Sequence, residues 1–145
     1  MNLRLVFSSL TVLAAMQAAP AAPHEVTFKD YLPNMGFKLS GAKLEDSDVI
    51  LYSLYIENSI GRRSGVALEL FHDNKLIGHL DLLVIDMQDT PGYMGDSRRL
   101  AVFSISTELS RQAMLYIRRD EKEFKEPLFK LPLSSWPVKT VHAKK

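Results

Sequence analysis

"TELSRQAMLYIRRDEKEF", Thr107–Phe124, decides between two folds. It contains neither glycine nor proline, and Leu109, Ala113, Tyr116, Ile117 and Phe124 approximate one face of a helix that Thr107 could cap. A helix there makes the protein α+β. Against it, "AMLYI" is a compact apolar run between two strand-like segments, "RRLAVFSIS" (98–106) and "LFKLPLSSW" (128–136), and both need neighbours. A strand over "QAMLYIRR", preceded by a short helical turn at Glu108–Arg111, supplies one.

Working outward, the same alternation of β-rich runs and turn signals recurs from Val26 onward. "VTFKDYL" (26–32) precedes "PNMG", "DVILYSLYIEN" (48–58) precedes "SIGRRSG", "VALELF" (66–71) precedes "HDN", and "KLIGHLDLLVID" (75–86) precedes "MQDTPGYMGDS". About seven short strands separated by loops predict an all-β fold, an antiparallel sandwich of immunoglobulin-like type. One domain over residues 22–136 is expected, with a polar tail at 137–145.

Residues 1–21 differ in composition. Arg4 stands in a polar start, and "LVFSSLTVLAAM" follows as an apolar run of signal-peptide length, shorter than the roughly 20 residues a membrane span needs. Ala19-Pro20-Ala21 offers small residues at −3 and −1, which predicts a cleaved signal and a mature chain beginning at Ala22. The chain has no cysteine, so no lipid is expected at the cleavage site and no disulfide in the domain. Together these predict a periplasmic or secreted protein, without a membrane span. A net charge of +1 gives no field to draw in nucleic acid.

The densest chemistry is in "ELFHDNKLIGHLDL", Glu69–Leu82. Side chains alternate faces along a strand, so Val66, Leu68 and Leu70 share one face, and Leu76, Leu80 and Leu82 should lie on the same side across a hairpin. A two-residue loop at Asp73-Asn74 sets Leu68 opposite His79 and spoils that pattern. A three-residue loop, His72–Asn74, pairs Leu70 with Leu76 and Val66 with Leu80, and puts Asn74 in the left-handed region. Leu68 and Leu80 then belong to the core. Glu69, His79 and Asp81 fall on the outer face, where two carboxylates beside an imidazole could bind a metal or relay a proton, or simply form a solvated charge cluster.

Elsewhere the chain offers little catalytic signal. There is no G-x-S-x-G, no phosphate loop and no dinucleotide fingerprint, and no cofactor is expected. His24 would be the third residue after cleavage, but Pro23 has no amide proton to give a copper(II) chelate. If neighbouring strands alternate in direction, the connections at 57–65, 88–98 and 120–127 gather at one end of the sandwich. They carry Arg62, Arg63, Tyr93, Met94 and Arg98, residue types enriched at protein interfaces. The expectation is therefore a non-catalytic module that binds another protein through this loop end. Carbohydrate is the second ligand class, with Trp136 either plugging the core or stacking on a sugar. A small hydrolase or metal protein using Glu69, His79 and Asp81 is the alternative.

Overall fold

The Thr107–Phe124 stretch resolves into a one-turn helix and a strand. In the computed structural model, Thr107–Ser110 forms helix α1 and Met114–Glu121 forms a strand, with Ser106 capping the helix by accepting a hydrogen bond from the Leu109 amide. The α+β alternative is thereby overturned. The structure describes residues 22–57, 64–88, 97–121 and 124–144; residues 1–21, on which the signal-peptide reading rests, lie outside them.

Ten strands follow in chain order: β1 His24–Glu25, β2 Phe37–Leu44, β3 Val49–Ile56, β4 Ser64–His72, β5 Lys75–Leu82, β6 Ile85–Gln88, β7 Ser97–Ser106, β8 Met114–Glu121, β9 Phe124–Pro132 and β10 Val138–Val141. They build two five-stranded sheets, ordered β1-β9-β8-β4-β5 and β10-β2-β3-β7-β6. The sheets are mixed rather than purely antiparallel, because β1 runs parallel to β9 and β10 parallel to β2. No described helix is long and apolar enough to cross a membrane.

Three sequence expectations are corrected here. "VTFKDYL" is not a strand: Phe28–Asp30 is a 3₁₀ turn, followed by another at Pro33–Met35 and a left-handed Gly36 with φ of 83°. The strand lies just beyond it, at "FKLSGAKL", where Phe37 and Leu39 are buried and Lys38 and Ser40 exposed. "VKTV", assigned to the tail, is strand β10. And "KLIGHLDLLVID" is two strands, β5 and β6, on the edges of opposite sheets, with the chain crossing at Leu83-Val84.

The hairpin register is corrected too. Asp73 and Asn74 both have positive φ, 48° and 62°, so the turn is the two-residue primed type, with His72 paired to Lys75. A bulge then absorbs Ile77, since Phe71 pairs with Leu76 but Leu70 with Gly78. Parity is restored by the bulge instead of by a longer loop. Leu68 faces Leu80 and Val66 faces Leu82. Leu68 is buried as expected, but Leu80 is 51% exposed, because β5 is an edge strand.

Between the sheets lies one apolar core. Tyr52, Leu54 and Ile56 of β3 and Ala101, Phe103 and Ile105 of β7 meet Val66 and Leu68 of β4, Leu115 and Ile117 of β8 and Leu131 of β9. At one end Arg99, inward-facing by parity, donates to the Ser64 carbonyl of the opposite sheet and pairs with Asp86 at 2.9 Å. Strand ends pair at this same end: Ile56 with Arg99, Gln88 with Ser97, Ser64 with Arg119, and Glu121 with Phe124.

Candidate binding surface

The outer faces of the two sheets differ in kind. On the β1-β9-β8-β4-β5 sheet the outer face is polar. His79 lies 3.5 Å from Glu69 Oε1 and 3.5 Å from Asp81 Oδ1, as strand parity predicted. Arg118, however, reaches Asp81 at 2.6 Å from β8. Its hydrogen bond and charge, with a smaller contribution from His79, hold the Asp81 carboxyl below the usual range. Tyr116 is pushed up to about 12, first by burial and then by the hydrogen bond and charge of Glu69. Glu69, His79, Asp81, Arg118 and Tyr116 thus form one charge-paired and hydrogen-bonded network, in which the buried Arg118 Nε is left without a hydrogen-bond partner. A guanidinium already neutralises the carboxylate that a metal would need, and among the described residues no group of three His, Asp or Glu is arranged to hold a metal ion.

On the β10-β2-β3-β7-β6 sheet the outer face carries exposed apolar side chains interleaved with serines. The register places Leu51 across from Ala42 and Ser104, Val102 across from Ser53, and Ile85 beside Leu100. Val141 adjoins Leu44 at the end of β10. Leu44, Val49, Leu51, Ile85, Val102 and Val141 are all at least 40% exposed. Single exposed leucines are ordinary on protein surfaces; several on one sheet face are the kind of patch that marks an interaction site. Sequence reasoning missed it, although a signal was there. "VILY" in β3 and "LAVF" in β7 lack the apolar–polar alternation of a strand with one wet face, which is how a strand with two apolar faces reads.

At its β2 side this face runs into a groove of about 560 Å³. Residues Lys38 to Ala42 of β2 line it together with Phe28, Tyr31, Trp136 and Pro137. Trp136 is only 4% exposed, packed edge-on against Phe28 and Tyr31 at ring distances of 5.4 and 5.1 Å. It is a core plug whose rim borders the groove, and its ring face is not presented to solvent as sugar stacking would need.

Of the loop-end residues, Arg62, Arg63, Tyr93 and Met94 lie outside the described residues. Arg98 lies in β7, paired with Met87 through the backbone. The strands flanking their loops do end at a common end, as the pairings above establish. Comparison with family models, with curated proteins and with solved structures returned no match.

Proposed function

We propose that the protein is an exported, non-catalytic module that binds another protein through the outer face of the β10-β2-β3-β7-β6 sheet. The exposed apolar stripe Leu44–Val49–Leu51–Val102–Ile85 is the observation that carries this reading. Leaving such a stripe in water has a cost of about 25 cal/mol per Å², which docking would recover. Export rests on the signal-like composition of residues 1–21. What supports an immunoglobulin-like reading is the strand order. With β2 taken as strand A, the sheets read as A-B-E-D and G-F-C-C′.

A second reading keeps the loop end. In immunoglobulin-type sandwiches the loops at one end carry recognition, and here the connections 57–63, 89–96 and 122–123 leave a common end. Arg62, Arg63, Tyr93, Met94 and Arg98 would then supply the contacts.

One comparison separates these readings. Immobilised wild type captures its partner from the native envelope fraction, and Leu51→Glu/Val102→Glu should reduce capture at least tenfold, the equivalent of about 1.4 kcal/mol. Arg62→Ala/Arg63→Ala/Tyr93→Ala/Arg98→Ala should retain it, as should Glu69→Ala/His79→Ala/Asp81→Ala. Circular dichroism checks that each variant is folded. Loss confined to the arginine variant would transfer the site to the loop end; loss confined to the acid–histidine variant would favour a metal or catalytic role.

A further inference from the structure

We propose that β5 is a self-pairing edge: two copies of the chain join their β5 strands antiparallel about a two-fold axis at Leu80, with His79 of each copy opposite Asp81 of the other. The inference concerns a surface apart from the apolar sheet face and does not rest on that reading. β5 ends the β1-β9-β8-β4-β5 sheet, so among the described residues no strand pairs with its outer side. β6 ends the other sheet, and the chain crosses directly between them at Leu83-Val84, so both edges lie on one side of the sandwich. That side carries Leu76, Ile77, Leu80, Leu83 and Ile85, each more than half exposed. An open edge is a template for another strand unless charge, proline or a bulge blunts it. Lys75 and the bulge at Ile77 blunt the start of β5, but Gly78–Leu82 is regular and has no proline.

Hydrogen-bond parity across the sheet fixes which groups of β5 face outward. The Leu133 amide donates to the Ala113 carbonyl at 3.1 Å, in phase with the Leu115–Leu131 pair, so Leu115 bonds to β9. The Val26 amide donates to the Lys130 carbonyl at 3.0 Å, which puts Lys130 on the far side of β9 and agrees with that phase. Met114 and Tyr116 therefore bond to β4, at Glu69 and Ala67. This leaves Leu68 and Leu70 of β4 to bond to β5, at Leu80 and Gly78. His79 and Asp81 alternate with these and turn their N–H and C=O to the open edge.

Charge complementarity selects the occupant and its register. A two-fold pairing that keeps side chains on matching faces is centred on His79, Leu80 or Asp81. The first sets histidine against histidine and the last sets carboxylate against carboxylate. Centred on Leu80, His79 meets Asp81 on both sides of the axis, and these pairs are the ones with outward N–H and C=O groups. Leu80 then meets Leu80, and Gly78 leaves room for Leu82. Within one chain Arg118 and His79 approach Asp81 at Oδ1, and its side chain is 65% exposed, so the carboxylate can take a further partner. Just beyond the ladder, Leu83 comes level with Ile77 of the second copy. So short a ladder makes a small, weak interface. Dilute protein is monomeric, with Leu80 half in water.

The chain has no cysteine, so single cysteines read the register without background. Partners in a non-hydrogen-bonded antiparallel pair have Cα atoms about 4.5 Å apart, within disulfide reach. Under mild oxidation, Leu80→Cys should form a disulfide dimer at least tenfold faster than His79→Cys or Asp81→Cys. Sedimentation velocity of the wild type should show a dimer that grows with concentration, with a dissociation constant of about 1 mM or tighter. His79→Asp and Asp81→Lys each remove the opposite-charge pairing and should weaken the dimer at least tenfold. An equimolar mixture of the two should restore it, because each supplies the sign the other lacks. Circular dichroism checks that both are folded; if either is not, the cysteine scan decides alone. A wild type that stays monomeric, fastest crosslinking from position 79 or 81, or folded charge variants that do not pair when mixed overturns the proposal. So does a dimer that Leu51→Glu/Val102→Glu dissolves and His79→Asp keeps, which would seat the second copy on the sheet face.

Discussion

At Gly41 the sandwich has no room for a methyl group. A Cβ there would meet Tyr52 Cε1 at 2.8 Å, and Tyr52 cannot retreat, being 1% exposed and stacked on Phe103 at 5.4 Å. Gly41→Ala should therefore destabilise the protein by about 1–3 kcal/mol, the usual cost of overpacking, read as a lower urea midpoint with unchanged slope. The same glycine explains why β2 went unread: "FKLSGAKL" alternates correctly, but a glycine in mid-run is a weak strand signal. Tyr116 provides a second test at this scale. Its folded value of about 12 stands above its ordinary 10.0. The protonated phenol is the form the fold favours, so its contribution is whole below pH 10.0 and is lost as pH rises through about 12. In an absorbance titration of tyrosinate, Tyr116→Phe should remove amplitude from the last part of the curve, near pH 12. Loss of amplitude near pH 10 instead would mean that Tyr116 is not held by burial and Glu69.

Among the elements, the β4–β5 hairpin shows what was legible and what was not. Alternation correctly put Leu68 inside and Glu69, His79 and Asp81 outside. It could not choose between a longer loop and a bulge, because each shifts parity by one residue. Nor could it show that β5 is an edge strand, a fact that belongs to the sheet order and leaves Leu80 half in water. The consequence is measurable. Leu68→Ala should cost about 2–5 kcal/mol in chemical denaturation, whereas Leu80→Ala and His79→Ala should each stay within about 0.5 kcal/mol. Equal losses at Leu68 and Leu80 would mean that Leu80 is buried and that β5 is not an open edge. Asn74, at φ of 62°, fills the second position of the primed turn. Asn74→Gly should be neutral or stabilising, since Asp-Gly suits that turn and glycine carries no Cβ penalty.

For the whole molecule, the asymmetry between the two outer faces organises the account. One sheet spends its outward positions on Glu69, His79, Asp81, Arg118 and Tyr116, which pair with one another. The other spends them on Leu44, Val49, Leu51, Val102 and Ile85, which satisfy nothing in the chain. From the sequence the polar cluster drew notice because histidines and acids are conspicuous. The apolar face was hidden because runs such as "VILY" look the same whether the second face meets protein or water. The most direct measurement is site-specific photo-crosslinking in the producing cell, with a photoreactive amino acid placed in turn at Leu51, Arg63 and His79. A discrete adduct with a different protein is expected from position 51 and none from position 79. An adduct from position 79 or 63, with none from position 51, would contradict it.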